Sequence, residues 1–210
     1  MRSRMLVITL LALMLAGTAM AQTKPIILGF KGGIDYADLA YDPDVIDPDP
    51  SVGLAFGGLL GFVISPGMTL DTDVLYIRKG AKWTEMDAEQ NEVDVTAKFS
   101  YLVLNPMLRF AVQNEGLRPY FLAGAEIGFL LDAKLDSDVA EVDVKDETKS
   151  TDFGVNFGAG LEFPSGSSAI FIEGRYALGL TDIDDTEGEE EDDGVEVKHR
   201  GIYAMAGIRF

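Results

Sequence analysis

The chain has 210 residues, a formal net charge of −18 and no cysteine. Such acidity argues against nucleic acid as a partner, because phosphate neutralisation needs basic patches. Without cysteine there are no disulfides and no amino-terminal cysteine to lipidate, so stability has to come from strand pairing and packing.

Met1–Ala21 has the three parts of a secretory signal: Arg2 and Arg4, an apolar centre Met5–Ala16, and the A-x-A site Ala19-Met20-Ala21. Residues 1–21 are expected to be removed, leaving 22–210 as one domain. The apolar centre is shorter than the roughly 20 residues of a spanning helix, which disfavours a retained anchor.

Period-two alternation then recurs along the chain, and helical periodicity does not. The first strand, Ile26–Asp38, sets Leu28, Phe30, Ile34 and Tyr36 against Lys31, Gly33 and Asp35. An acidic, proline-bearing loop follows at Tyr41–Pro50. The second strand, Val52–Ile64, turns at Ser65-Pro66-Gly67 into the third, Met68–Trp83. There Leu70, Thr72, Val74 and Tyr76 oppose Asp71, Asp73, Leu75 and Ile77. Acids at both 71 and 73 suit a wet or ion-paired interior.

Thr84–Val95 reads as a second acidic loop. In the fourth strand, Thr96–Val112, Tyr101, Asn105, Met107 and Arg109 share one face. Pro106 lacks a ladder donor, so a bulge or an unpaired position is expected there. A short turn leads to the fifth strand, Arg118–Leu135, with Tyr120, Gly124, Glu126 and Gly128 on one face, and a long loop Asp136–Ser150 follows. The sixth strand, Thr151–Pro164, sets Phe153, Val155, Phe157, Ala159, Leu161 and Phe163 against Asp152, Gly154, Asn156, Gly158, Gly160 and Glu162. Ser165–Ser167 turns into the seventh, Ala169–Thr181, carrying Glu173 and Arg175. After the acidic run Asp184–Gly194, the last strand ends on Phe210.

Eight strands, with tight turns alternating with long acidic loops, give an all-β, eight-stranded antiparallel up-and-down transmembrane β-barrel. Large apolar groups then face lipid. The interior holds Lys31, Asp35, Asp71, Asp73, Arg109, Glu126, Asn156, Glu162, Glu173, Arg175 and Arg209. Ion pairing is expected among Lys31, Asp71, Asp73, Arg109, Glu126, Glu162, Glu173 and Arg175, because unpaired charge in a narrow lumen is costly. Interior glycines at 57, 61, 154, 158 and 160 are expected to leave some room for water.

Several segments together resemble the outer-membrane protein β-barrel family, the porin-like, OmpA/OmpX-type small barrels. They are Gly29-Phe-Lys-Gly-Gly-Ile-Asp-Tyr-Ala-Asp-Leu39, Asp73-Val-Leu-Tyr-Ile-Arg-Lys-Gly-Ala81, Pro119-Tyr-Phe-Leu-Ala-Gly124, Phe153-Gly-Val-Asn-Phe-Gly-Ala-Gly160 and Gly174-Arg-Tyr-Ala-Leu-Gly-Leu180. Val103 departs from the pattern, standing where an interior acid is expected. The resemblance implies residence in the bacterial outer membrane, contact with its lipid and lipopolysaccharide, and Phe210 as an assembly signal read by the insertion machinery. It transfers no catalytic motif.

The expected role is therefore non-enzymatic: structure or interaction at the cell surface, with at most narrow ion permeation, and no cofactor. An outer-membrane hydrolase or protease is the alternative, using His199 with nearby acids; the bland reading makes His199 a rim residue beside Lys198 and Arg200. A soluble lipocalin-like secreted barrel is a third reading. The acidic loops read as solvated edges, as divalent-cation sites or as adaptation to high salt. Asp182, Asp184 and Thr186 have early calcium-loop spacing, but Glu187 sits where that loop needs glycine, so the match fails.

Overall fold

The computed structural model of the protein describes residues 26–42, 48–86, 92–137, 141–183 and 196–210. The expected signal segment and the acidic run Asp184–Gly194 lie outside the described residues. The strands are β1 (Ile26–Asp42), β2 (Asp49–Ser65), β3 (Met68–Met86), β4 (Glu92–Ala111) and β5 (Arg118–Ser137). A short β6 (Glu141–Asp143) precedes β7 (Thr151–Ser165), β8 (Ser168–Gly179) and β9 (Glu196–Arg209). Neighbours pair in the order β4-β3-β2-β1-β9-β8-β7-β5, and β4 also pairs with β5, so the sheet closes on itself. Every pairing is antiparallel. Closure leaves the eight long strands without a free edge, a requirement for strands that cross lipid.

The side chains sort as the alternation demands. Phe30 is 65 % exposed on the outside and Phe121 66 %, while Asp73, Asn105 and Asn156 on the inside are 0 % exposed. A belt of outward Phe, Leu, Ile and Tyr side chains covers the wall, including Leu54, Phe56, Leu108, Phe153, Phe157, Ile172, Tyr176 and Ile202. A soluble barrel would face its large apolar groups inward, so this polarity rules against the lipocalin-like reading.

The β2–β3 and β7–β8 connections are tight hairpins, with Ser65 opposite Met68 and Ser165 opposite Ser168. Gly67 at φ 82° and Gly166 at φ 62° supply the left-handed backbone that these turns need. Both turns lie at the end of the barrel where Phe210 pairs with β1: its N–H donates to the Leu28 carbonyl at 2.8 Å.

The opposite end is longer than the sequence suggests. The stretch Thr84–Val95, expected as a loop, is mostly ladder, since β3 and β4 stay paired out to Met86 opposite Glu92. Likewise β1 runs past the expected Asp38 to Asp42, and β9 starts as early as Glu196. Charged residues alternating with Val93, Val95 and Val197 keep the period of two that a strand needs, and Asp94 is exposed to water. Within the stretch Asp136–Ser150, expected as a loop, β6 pairs with the end of β5, and a 3₁₀ turn follows at Lys145–Glu147. Glu141 accepts a 2.6 Å hydrogen bond from Lys134, which holds that exposed ammonium above its ordinary pKa.

Two irregularities re-aim side chains. At Ser100/Tyr101 the β4–β5 register slips by one, leaving Leu131 as an extra residue in β5. The bulge reverses the alternation, so Leu130 and then Ala133 both point inward. At Pro106 the β3 side of the ladder is intact, with Thr72 opposite, and no bulge forms. The β4–β5 ladder instead skips from Leu104–Ile127 to Met107–Gly124. The register places the Ala125 carbonyl opposite Pro106, and the Asn105 side-chain amide donates to it at 3.3 Å. The expected unpaired position is therefore covered by its neighbour.

Candidate functional site

The inward faces of the eight long strands converge on one lumen, and its contents change from one end to the other. Nearest Phe210, Arg109 donates to Glu162 at 2.6 Å. Arg209 contributes longer pairs to Asp71 at 3.4 Å and Glu162 at 3.6 Å, and Arg118 reaches Glu162 at 3.5 Å. The Arg109 guanidinium lies 4.0 Å from the centre of the Tyr120 ring, a stacked cation–π contact.

The middle layer joins four strands. Lys31 from β1 donates to Asp73 of β3 and to Glu173 of β8, each at 2.8 Å. Arg175 of β8 meets the same two carboxylates, each at 2.7 Å. Tyr120 of β5 donates to Glu173 at 2.9 Å. All four charged side chains are within a few per cent of full burial. Two cations against two acids at short range is a balanced arrangement for such a space, because the partners replace lost hydration.

Above it, Lys79 donates to Glu126 at 2.6 Å and to Asp152 at 3.1 Å. Glu126 also accepts from the Asn156 amide at 2.8 Å, the Asn105 amide at 3.3 Å and the Tyr203 hydroxyl at 3.3 Å. This layer gives way to an apolar plug that includes Leu39, Ile77, Phe99, Tyr101, Val103, Leu130 and Ile183. Val103, odd against the family pattern, is fully buried among the apolar side chains of that plug.

Six of the eight residues expected to form the network, Lys31, Asp73, Glu173, Arg175, Arg109 and Glu162, pair with one another in the lower two layers. Asp71 pairs with Arg209, and Glu126 takes Lys79. Lys79, Asp152, Tyr120 and Tyr203 were not among the expected members. Their signal was available: Lys79 continues the inward set Asp71, Asp73, Leu75, Ile77 on β3. Asp35 is inward and fully buried, yet neither carboxylate oxygen has a hydrogen-bond partner among the described residues.

Two expectations are corrected. His199 is not a rim residue: it is 2 % exposed, its Nε2 lies 3.2 Å from the Tyr101 hydroxyl, and its ring stands edge-on to Phe99. The bulge-shifted upper wall and the long β9 carry it into the plug. Nor do the interior glycines leave open space. A Cβ at Gly160 would strike the Tyr120 ring, and one at Gly158 would come within 2.9 Å of Arg175 and 3.0 Å of Leu122. Gly61, Gly158 and Gly160 make room for neighbouring side chains, and Gly57 and Gly154 for the close approach of the next strand's backbone, rather than for water.

The family profile described as "Outer membrane protein beta-barrel domain" matches residues 20–185. Among solved structures, the chain is similar to Neisserial surface protein A, with 13 % identity over 87 % of this chain and 95 % of that one and a TM-score of 0.48. It is also similar to Ail of Yersinia pestis, solved with the heparin analogue sucrose octasulfate, at 18 % identity over 88 % and 99 % with a TM-score of 0.42. OprG from Pseudomonas aeruginosa gives 11 % identity over 89 % and 97 % with a TM-score of 0.45. No curated protein matches the chain. The matched profile covers well over half of the sequence, and this chain belongs to the outer membrane protein β-barrel family.

Proposed function

We propose that the protein is a non-enzymatic barrel of the outer membrane, with a structural or interaction role at the cell surface and at most narrow ion passage. The observation that carries this reading is the filled lumen: two ion-pair layers, the Lys79 layer and an apolar plug lie in series between the mouths. Eight strands enclose a space that side chains can fill, and here they fill it. Reconstituted liposomes should therefore swell no faster in sugar solutions than protein-free ones. Rapid sugar-driven swelling would overturn the reading.

The hydrolase alternative has less support. His199 is enclosed by Phe99 and Tyr101, and among the described residues no carboxylate hydrogen-bonds its ring. A general base needs hydrogen-bond reach to a substrate proton, and this ring faces packed neighbours instead.

The partners in this proposal are outer-membrane lipid and lipopolysaccharide along the apolar belt, and divalent cations at the acidic loops. The insertion machinery is the partner of the strand that ends on Phe210. Phe210 is 54 % exposed on the lipid side while its backbone completes the β9–β1 ladder. Phe210→Ser keeps that ladder and removes the ring. The expected result is a severalfold lower yield of heat-modifiable barrel in outer-membrane fractions; an unchanged yield would remove the assembly role.

A further inference from the structure

We infer that the mouth at the tight-turn end of the barrel, the periplasmic end in outer-membrane barrels with short periplasmic turns, is a binding site for a phosphoryl oxyanion, held by Arg109, Arg118 and Arg209. A cavity of about 360 Å³ opens between the three tight connections and the end of β9, and these three guanidiniums line it together with Glu162 and Thr69. Ile27, Ala111, Pro164 and Ala169 add apolar wall, and Phe210 stands at its edge.

The looseness of its ion pairs singles this cavity out. Deeper in the lumen, Lys31 and Arg175 are matched by Asp73 and Glu173 at 2.7–2.8 Å. One layer above, Lys79 faces two acids, Glu126 and Asp152. At the mouth the contacts loosen: three guanidiniums face the side-chain carboxylates of Glu162 and Asp71, and Phe210, whose α-carboxylate ends the chain, also lines the cavity. Only the Arg109–Glu162 contact there is short, at 2.6 Å; the others span 3.4–3.6 Å. Three guanidiniums with mostly long contacts thus gather at one mouth of a protein whose net charge is −18.

The donors are also under-used. Each guanidinium carries five N–H groups. Arg118 commits its Nε to the Asn114 carbonyl at 2.8 Å, and Arg209 makes one long bond to Asp71 at 3.4 Å. Thr69 lines the same cavity, is only 7 % exposed, and its hydroxyl has no hydrogen-bond partner among the described residues. Three guanidiniums approaching from β4, β5 and β9 suit a tetrahedral oxyanion, which offers an oxygen to each. A planar carboxylate fits one such fork at a time. The phosphoryl group has two sources at this position: a free phosphate in the periplasm, or the headgroup of an inner-leaflet phospholipid beside the rim.

The test is calorimetric titration of the full-length mature protein in a maltoside detergent, which has no phosphate of its own. The probes are inorganic phosphate and, separately, dihexanoyl phosphatidylglycerol below its micellar concentration. Saturable binding of one anion per barrel is expected. Arg118→Gln should weaken it about tenfold or more, the loss expected for a charge-assisted hydrogen bond, and Thr69→Val should weaken it less. Arg118 lies at the rim with its side chain 32 % exposed, and heat-modifiable mobility checks that the variant folds. If it does not fold, Thr69→Val, which keeps side-chain volume, decides alone. Binding of phosphate assigns the free anion, and binding of the lipid alone assigns the headgroup; both support the site if the variant weakens them. No saturable heat with either probe, or equal affinity in wild type and variant, would overturn it.

Discussion

Replacing Arg175 with alanine should destabilise the barrel by about 3–5 kcal/mol, the cost of removing one partner from a buried ion pair. Arg175 is 2 % exposed and sits 2.7 Å from both Asp73 and Glu173. Its removal leaves two acids with one cation, Lys31, in a space that water reaches poorly. Reorganisation is limited because Asp73 and Glu173 already share Lys31, and Tyr120 already donates to Glu173. The measurement is urea-induced unfolding of the reconstituted barrel, followed by loss of heat-modifiable mobility. Asp136, partly exposed above the membrane and paired with Lys98, supplies the comparison: Asp136→Ala should shift the midpoint little. Equal shifts for the two variants would show that the lumen pairs carry no special energetic weight.

Gly160→Ala should cost about 1–3 kcal/mol, an overpacking effect from a single methyl group. Its Cβ would meet the Tyr120 ring and also the Ile172 carbonyl oxygen at 2.5 Å. Tyr120 cannot swing aside cheaply, because it is 1 % exposed, donates to Glu173 and stacks on Arg109. In a Tyr120→Ala background the same glycine substitution should cost distinctly less, leaving the backbone contact as the remaining penalty. Additive effects in this double-mutant cycle would show that Gly160 and Tyr120 are not coupled.

Strand number, facing and the polarity of the wall were legible because a two-residue period leaves each side chain only two directions. Phe153, Phe157 and Asp152 announce β7 without any tertiary information. The sequence was less informative where pairing overrides composition. Acidic segments beside Thr84 and Val197 look like loops, yet their backbones continue the ladders. The Leu131 bulge changes parity in mid-strand, and nothing in Leu130-Leu131-Asp132 marks which residue is extra.

The lumen was legible as a list but not as a set of pairs. Inward parity identifies Lys31, Asp73 and Arg175, whereas the pairing of Arg109 with Glu162 and of Asp71 with Arg209 depends on the relative stagger of strands around the closed barrel. Lys79 shows the same limit: its parity is inward, but its role emerges only when Glu126 and Asp152 arrive from β5 and β7. Glycine-rich faces invite an expectation of open space, and only the neighbouring Tyr120 and Arg175 side chains reveal what that space is for.

Single-channel recording of the protein in planar bilayers tests the filled-lumen account most directly. The account predicts no stable porin-sized steps, and at most small, flickering conductance. Such conductance should prefer cations because the acidic loops concentrate them at the outer mouth, a preference that fades with added salt. Large, stable openings, or a reversal potential showing anion preference, would contradict it.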